Sequence, residues 1–229
     1  MRLFCFLLFG LSIQFCLSQD ILSVDIDDRY REDQFYVSIT YNLLIYNPSN
    51  VSSTDFSSGF HFGFIRDMPI NNKRNWSIGL GFGISSNSYN QDLYITENTN
   101  EIAFTDSEVS FGNVTKNKFT TYLIDIPFEL RWRTSNATDY KFWRIYPGFK
   151  FSYLVFSSSR LESELQDIKL SNIDAFNRLQ YGLTLSAGYG TWNFQIYYGL
   201  NPIFDDTSLL NGQSIDSKAL RIGVMFYIL

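Results

Sequence analysis

Cysteine is nearly absent from this 229-residue chain: it has two, Cys5 and Cys16. Both sit in an opening that reads as a targeting segment, so no disulfide, thiolate metal cluster or catalytic thiol is expected in the mature chain. Without disulfides, an exported chain must hold together through its sheet or its core alone. Histidine is reduced to His61, which removes most His-ligated metal sites. Basic residues are outnumbered, Lys+Arg 18 against Asp+Glu 23, for a formal net charge of -5. That balance excludes a nucleic-acid binder that needs a basic face. With Pro 5 and Gly 14, collagen-like and low-complexity chains are excluded as well. Aromatic residues, by contrast, are plentiful: Phe 22, Tyr 15 and Trp 4. A disordered chain does not carry that many.

The first residues, Met1 and Arg2, precede the apolar run Leu3 to Phe15, and Cys16-Leu17-Ser18 places small residues at the -3 and -1 positions. This pattern predicts a secretory signal peptide over 1–18, cleaved after Ser18. Its apolar run is shorter than the about 20 residues of a spanning helix. Bulky Phe15 stands where a lipidation signal needs a small residue before Cys16. Residues 19–34 are rich in acids (Asp20, Asp25, Asp27, Asp28, Glu32, Asp33) and are expected to form a short periplasmic segment, with one domain over 35–229.

From Phe35 onward the hydrophobic period is two. Phe35, Val37, Ile39, Tyr41, Leu43 and Ile45 alternate with Ser38, Thr40 and Asn42. The pattern returns from Phe60, Trp76, Tyr122, Trp143, Leu179, Trp192 and Leu220, giving eight strands. One face of each is aliphatic or aromatic and almost free of charge. The other is crowded with Gly and Ser and also carries Asp125, Glu129, Arg131 and Lys150. A soluble barrel turns its apolar face inward and needs bulky inner residues. A lipid-facing exterior around a polar interior accounts for both faces, because a membrane-spanning sheet must close to satisfy its backbone. The expected fold is therefore all-β: an eight-stranded antiparallel up-and-down transmembrane barrel in an outer membrane.

Connector lengths agree, since short and long links alternate along the chain. Short turns are periplasmic in such barrels, so both termini are expected there. Trp76, Trp143 and Trp192 open strands and Trp132 closes one, all on the apolar face and all beside short links. Tryptophan favours the headgroup level, so the four read as a periplasmic aromatic girdle. The apolar alternation also runs to the C-terminus through Leu220 to Leu229, a form suited to assembly into the outer membrane.

For chemistry, the residues offer little. His61 has lumen parity and could in principle act as the base of an outer-leaflet lipid-modifying enzyme, but no serine is singled out as its nucleophile. No catalytic residue, cofactor, metal or small-molecule substrate is expected. Asp125, Glu129, Arg131, Arg133, Arg144, Lys150 and Arg221 share lumen parity. An eight-stranded barrel is only wide enough to be filled by its side chains, so these are expected to form a charge-paired plug rather than a conduction path. The long links, about 47–56, 89–118, 157–176 and 202–217, hold more than half of the acids and only Lys116, Lys118, Arg160 and Lys169 of the bases. Solvation explains most of this asymmetry; cation or partner contact is the alternative. The opposite end is basic, with Arg66, Lys73, Arg74, Lys141 and Arg144.

Several longer stretches carry a resemblance. They are Tyr30-Arg31-Glu32-Asp33-Gln34-Phe35-Tyr36, Tyr41-Asn42-Leu43-Leu44, Gly59-Phe60-His61-Phe62-Gly63-Phe64-Ile65-Arg66-Asp67-Met68-Pro69 and Asn87-Ser88-Tyr89-Asn90-Gln91. Further on come Lys118-Phe119-Thr120-Thr121, Glu129-Leu130-Arg131-Trp132-Arg133-Thr134, Tyr140-Lys141-Phe142-Trp143-Arg144-Ile145-Tyr146, Gln180-Tyr181-Gly182-Leu183-Thr184 and Tyr198-Gly199-Leu200-Asn201-Pro202-Ile203-Phe204. Together they resemble the PorT family of Bacteroidetes over about 30–229. The resemblance implies an outer-membrane barrel required for type IX secretion, in assembly or maturation of the translocon, with outer-membrane lipid and type IX components as partners. It implies no catalytic residues. Arg131 to Arg133 and Arg66-Asp67, with the basic turns, are the expected partner-facing motifs, with barrel packing and headgroup contact as their alternative role. The alternatives are a surface barrel for adhesion or envelope stability and the enzyme using His61.

Overall fold

The computed structural model describes residues 33–98, 101–107, 111–134 and 142–228. The expected signal peptide, nearly all of the acidic segment 19–34, and Lys141 lie outside the described residues. Thirteen strands succeed one another: β1 (Gln34–Ile45), β2 (Ser58–Pro69), β3 (Trp76–Asn90), β4 (Tyr94–Asn98), β5 (Glu101–Thr105), β6 (Val114–Arg133), β7 (Trp143–Ser163), β8 (Asp167–Ser171), β9 (Leu179–Tyr189), β10 (Trp192–Gly199), β11 (Leu209–Leu210), β12 (Gln213–Ser214) and β13 (Lys218–Ile228). β1, β2, β3, β6, β7, β9, β10 and β13 pair antiparallel with their neighbours around the ring, and β1 closes it on β13 through Phe35↔Ile228 to Ile45↔Lys218. The result is a closed, antiparallel, eight-stranded barrel. Closure leaves no unpaired sheet edge for lipid to meet.

Burial keeps to the two-residue period. On β2, Gly59, His61, Gly63, Ile65 and Asp67 are buried while Phe60, Phe62, Phe64, Arg66 and Met68 are exposed. The same alternation holds on β1, β3 and β10. The glycines have a specific use inside. A Cβ on Gly63 would stand 2.6 Å from the Tyr36 ring, and one on Gly83 would strike its hydroxyl, so the two glycines form the slot that accepts this inward tyrosine. The slot removes the difficulty that small residues leave a lumen empty.

The sequence boundaries need correction at the long-link end. β6 begins at Val114 and β7 runs on to Ser163, both inside stretches expected to be loop. The two remain paired through Lys118↔Arg160 and Asn117↔Leu161, with a bulge that opposes Leu154 to Leu123 and Phe156 to Tyr122. Val155 and Phe156 are both exposed there, so the two-residue pattern slips by one. That slip hides the continuation of β7 from a strict period-two reading. β8 adds to the β7 extension, β4 pairs with β5 and β11 with β12.

These extensions and the links around them enclose an apolar core at the long-link end. It contains Val51, Leu93, Ile95, Phe119, Ile173, Phe176, Ile203, Phe204, Leu210 and Ile215, drawn from every long link. Phe176 and Phe204 stack at 5.1 Å, and Phe119 meets them at 5.2 and 5.7 Å. Irregular backbone buried here still needs hydrogen-bond partners. Asn117 donates to the Gln91 and Leu93 carbonyls at 2.6 and 2.9 Å, and Asn177 to those of Pro202 and Phe204 at 3.0 and 2.7 Å. At the surface of the same end, Asn50 donates to Asp106 at 3.1 Å, which holds that exposed carboxyl below its ordinary pKa.

Candidate functional site: the barrel interior and its capped end

All seven charged residues predicted to face the lumen are buried. Four of them, Asp125, Glu129, Arg131 and Arg133, come from β6, because positions on one side of a strand recur every two residues. β3 makes room for them: Gly83 lies opposite Asp125 and Gly79 opposite Glu129.

The charges form two tiers. In the tier toward the short links, Asp67 is the hub. It accepts hydrogen bonds from Arg131 at 3.2 Å, Arg133 at 2.8 Å and Ser77 at 2.6 Å. Arg131 also donates to Glu129 at 3.0 Å and to Gln34 at 3.2 Å, and its guanidinium lies 4.8 Å from the Tyr146 ring centre. Asp67 is absent from the lumen set expected from sequence because the clear apolar alternation of β2 ends before it. Its place two residues beyond Ile65, on the same side of the strand, is the signal that assigns it.

In the middle tier Asp125 accepts from Ser152 at 2.6 Å and from Lys150 at 3.4 Å, with His61 Nδ1 4.0 Å away. Lys150 and Arg221 then approach the Tyr197 ring, at 4.9 and 4.5 Å from its centre, and Arg221 donates to the Tyr89 hydroxyl at 3.2 Å.

Pairing is therefore not uniform. Arg144 and Arg221 have no carboxylate within salt-bridge distance among the described residues. Each lies instead against aromatic rings, Arg144 at 4.4 Å from that of Phe142. Rings whose faces are negative supply what a counter-ion would otherwise supply. Among the described residues three buried acids thus share the interior with five cations, and the excess positive charge rests on π-faces.

Thr40, His61 and Asp125 fall in the order of a nucleophile, base and orienting acid, with Thr40 Oγ1 3.1 Å from His61 Nε2. The threonine hydroxyl, however, also donates to Asn42 at 2.7 Å, and all three side chains are buried inside the wall. The motifs expected to face a partner are similarly turned away: Asp67, Arg131 and Arg133 are buried, and only Arg66 of those two motifs is exposed. Lys73 and Arg74 belong to the 70–75 link.

The four tryptophans all end strands beside short links. Trp76 pairs with Trp132, and Trp143 and Trp192 both pair with Tyr189. Trp76, Trp143 and Trp192 are exposed on the outer face. At the other end, a recess of about 600 Å³ opens between β4, β5, β8 and the 200–217 link; Glu97, Glu101, Asp174 and Asp205 line it with Lys169. Among the described residues no group of acids and histidine is close enough to hold a metal ion.

The largest fully buried side chains, Arg131, Arg133, Arg221, Tyr146, Phe119, Phe176 and Phe204, run from the short-link tier to the apolar cap. They make the interior a filled core, closed at its long-link end. No curated protein matches the chain. The outward apolar belt, the ring of eight strands and the match of a family model for the outer membrane protein beta-barrel domain over residues 17–205 agree, and the chain belongs to that family.

Proposed function

We propose that this outer-membrane barrel is a non-catalytic component serving type IX protein secretion, acting in assembly or maturation of the translocon. Its resemblance to the PorT family, over motifs spread along nearly the whole barrel, carries this reading. In it both termini lie in the periplasm, the tryptophans sit at the inner headgroup level, and the capped end faces outward. The filled interior supports a docking role over a conduit, since no side chain in either ionic tier can leave without exposing a buried charge. Burial of His61 beneath the wall supports a non-catalytic role, because an outer-leaflet enzyme needs its base within reach of lipid. The exposed partner surface is then the capped lobe with its acid-lined recess, or the Arg66, Lys73 and Arg74 rim.

The test is a clean deletion in the source bacterium, with secreted proteins and detergent-extracted outer-membrane complexes compared with wild type. Loss of type IX cargo together with disturbed translocon complexes is the expected result. Normal secretion would leave a surface barrel for adhesion or envelope stability, the reading favoured by the built-up apolar cap.

A further inference from the structure

The four bases of the long links are not scattered. Lys118, Arg160 and Lys169 lie directly across from one another on β6, β7 and β8. They share the outward face, because Lys118 and Arg160 each stand four residues, an even number, beyond the exposed pair Tyr122↔Phe156, and the adjacent pair Leu161↔Ile168 turns inward. Adjacent strands are about 4.8 Å apart, so the three cations span about 10 Å. Arg160 also pairs with Glu162 on the next outward position. Lys118 and Lys169 have no ion pair among the described residues.

Height fixes what this row meets. The ten steps from Trp132 to Tyr122 extend about 33 Å along a strand, which a tilt of about 40° reduces to the roughly 25 Å of an apolar band. Tyr122 packs on Phe156 at 5.6 Å, closing that band with aromatic rings. The row stands two outward positions further on, about 10 Å above the acyl region. Closer to the short links, and across β6 from Arg160 and Lys169, a groove of about 650 Å³ runs along β3 over Ile84 and Ser86, between Phe60 and Phe62 on one side and Tyr122, Ile124 and Val155 on the other. Ser86 is short where its cross-strand neighbours Phe60 and Tyr122 are large, and this difference cuts the groove.

We infer that the Lys118, Arg160 and Lys169 row, with the groove closer to the short links, binds a phosphate-bearing glycolipid of the outer leaflet: phosphate on the cations, one acyl chain along β3. The inference rests on the reading that the capped end faces outward. Charge complementarity selects the occupant. A neutral lipid would fill the groove but leave Lys118 and Lys169 without an ion pair beside the already paired Arg160, whereas a phosphorylated headgroup satisfies both at once. The next row outward, Lys116, Glu162 and Asp167, is mixed in sign and marks the limit of the site.

The full barrel, folded in detergent, is mixed with a bisphosphorylated glycolipid, its dephosphorylated form, or inorganic phosphate, and bound lipid is counted by native mass spectrometry. Wild type is expected to retain the phosphorylated lipid. Lys118→Ala/Arg160→Ala/Lys169→Ala should weaken retention at least about tenfold, as should high salt. Ser86→Trp, which fills the groove and spares the cations, should also lose the lipid. Lys218→Ala, at the same end on β13, should not. Heat-modifiable migration confirms folding of each variant. Equal binding of the dephosphorylated lipid, or unchanged binding by the triple variant, overturns the site. Displacement by inorganic phosphate makes it a free-phosphate site and overturns the lipid. Orientation is read separately, by labelling Asp206→Cys on intact cells with an impermeant maleimide. Absence of label, with lipid binding intact, overturns only the outer-leaflet source.

Discussion

The two ends of the barrel are filled by opposite chemistry. Toward the short links the interior is ionic, a network in which one carboxylate, Asp67, holds two guanidiniums. Toward the long links it is a conventional apolar core, with Phe119, Phe176 and Phe204 packed ring to ring. The strand wall dictates the first arrangement. Its outer face is committed to lipid, so polar residues can only turn inward, where each must find a partner. Beyond the band the acyl region ends, and water restores the ordinary rule that apolar side chains gather inside. One chain thus obeys the membrane rule and the soluble rule in succession along its axis.

Asp67→Ala tests the ionic half most severely. Stripping Arg131 and Arg133 of their shared carboxylate should cost about 3 to 5 kcal/mol, read as a lower denaturant midpoint in lipid vesicles. Phe204→Ala should cost a similar amount, about 3 to 5 kcal/mol, but locally: the 164–178 and 200–217 links should become protease-sensitive while heat-modifiable migration persists. If Phe204→Ala instead lowers the whole transition in step with protease sensitivity, the two halves are one cooperative unit.

The membrane rule itself is tested by Ile124→Arg. This outward, mid-band position should penalise insertion by about 2 to 4 kcal/mol, seen as reduced folding into vesicles. Its inward neighbour sharpens the contrast. Asp125→Asn should still insert, yet lose about 1.5 to 3 kcal/mol because Lys150 remains buried beside a neutral amide. Reversal of that order would mean that the two faces have been exchanged. The smallest effect is expected from Arg178→Ala. Its pair with Asp174 is open to water on both sides, so the denaturant midpoint should not move.

The two ionic tiers are more legible in sequence than the cap. Asp125, Glu129, Arg131 and Arg133 repeat at even spacing on a strand whose other face is apolar, so parity alone assigns their side. Parity assigns Arg144 and Arg221 a side in the same way, but not a partner. The ring under Arg144, Phe142, is two residues away on the same side, but the ring under Arg221, Tyr197, comes from β10, and no spacing in the chain reveals that proximity. In the cap the signal is short: Ala175-Phe176, Ile203-Phe204 and Leu209-Leu210 are apolar pairs set among acids. Read singly, each looks like a loop residue at ease in water. Their common burial emerges only when four links fold over one barrel mouth.

By itself, then, the sequence determined the number of barrel strands and the side on which the residues of the alternating stretches stand, because these depend on a period of two that the pleated backbone imposes locally. Tertiary structure alone decided the hub at Asp67, the meeting of Lys150 and Arg221 with the Tyr197 ring, the extension of β6 and β7 beyond the band, and the alignment of Lys118, Arg160 and Lys169. Each of these depends on register between strands far apart in the chain, which closure of the barrel sets and local pattern does not encode.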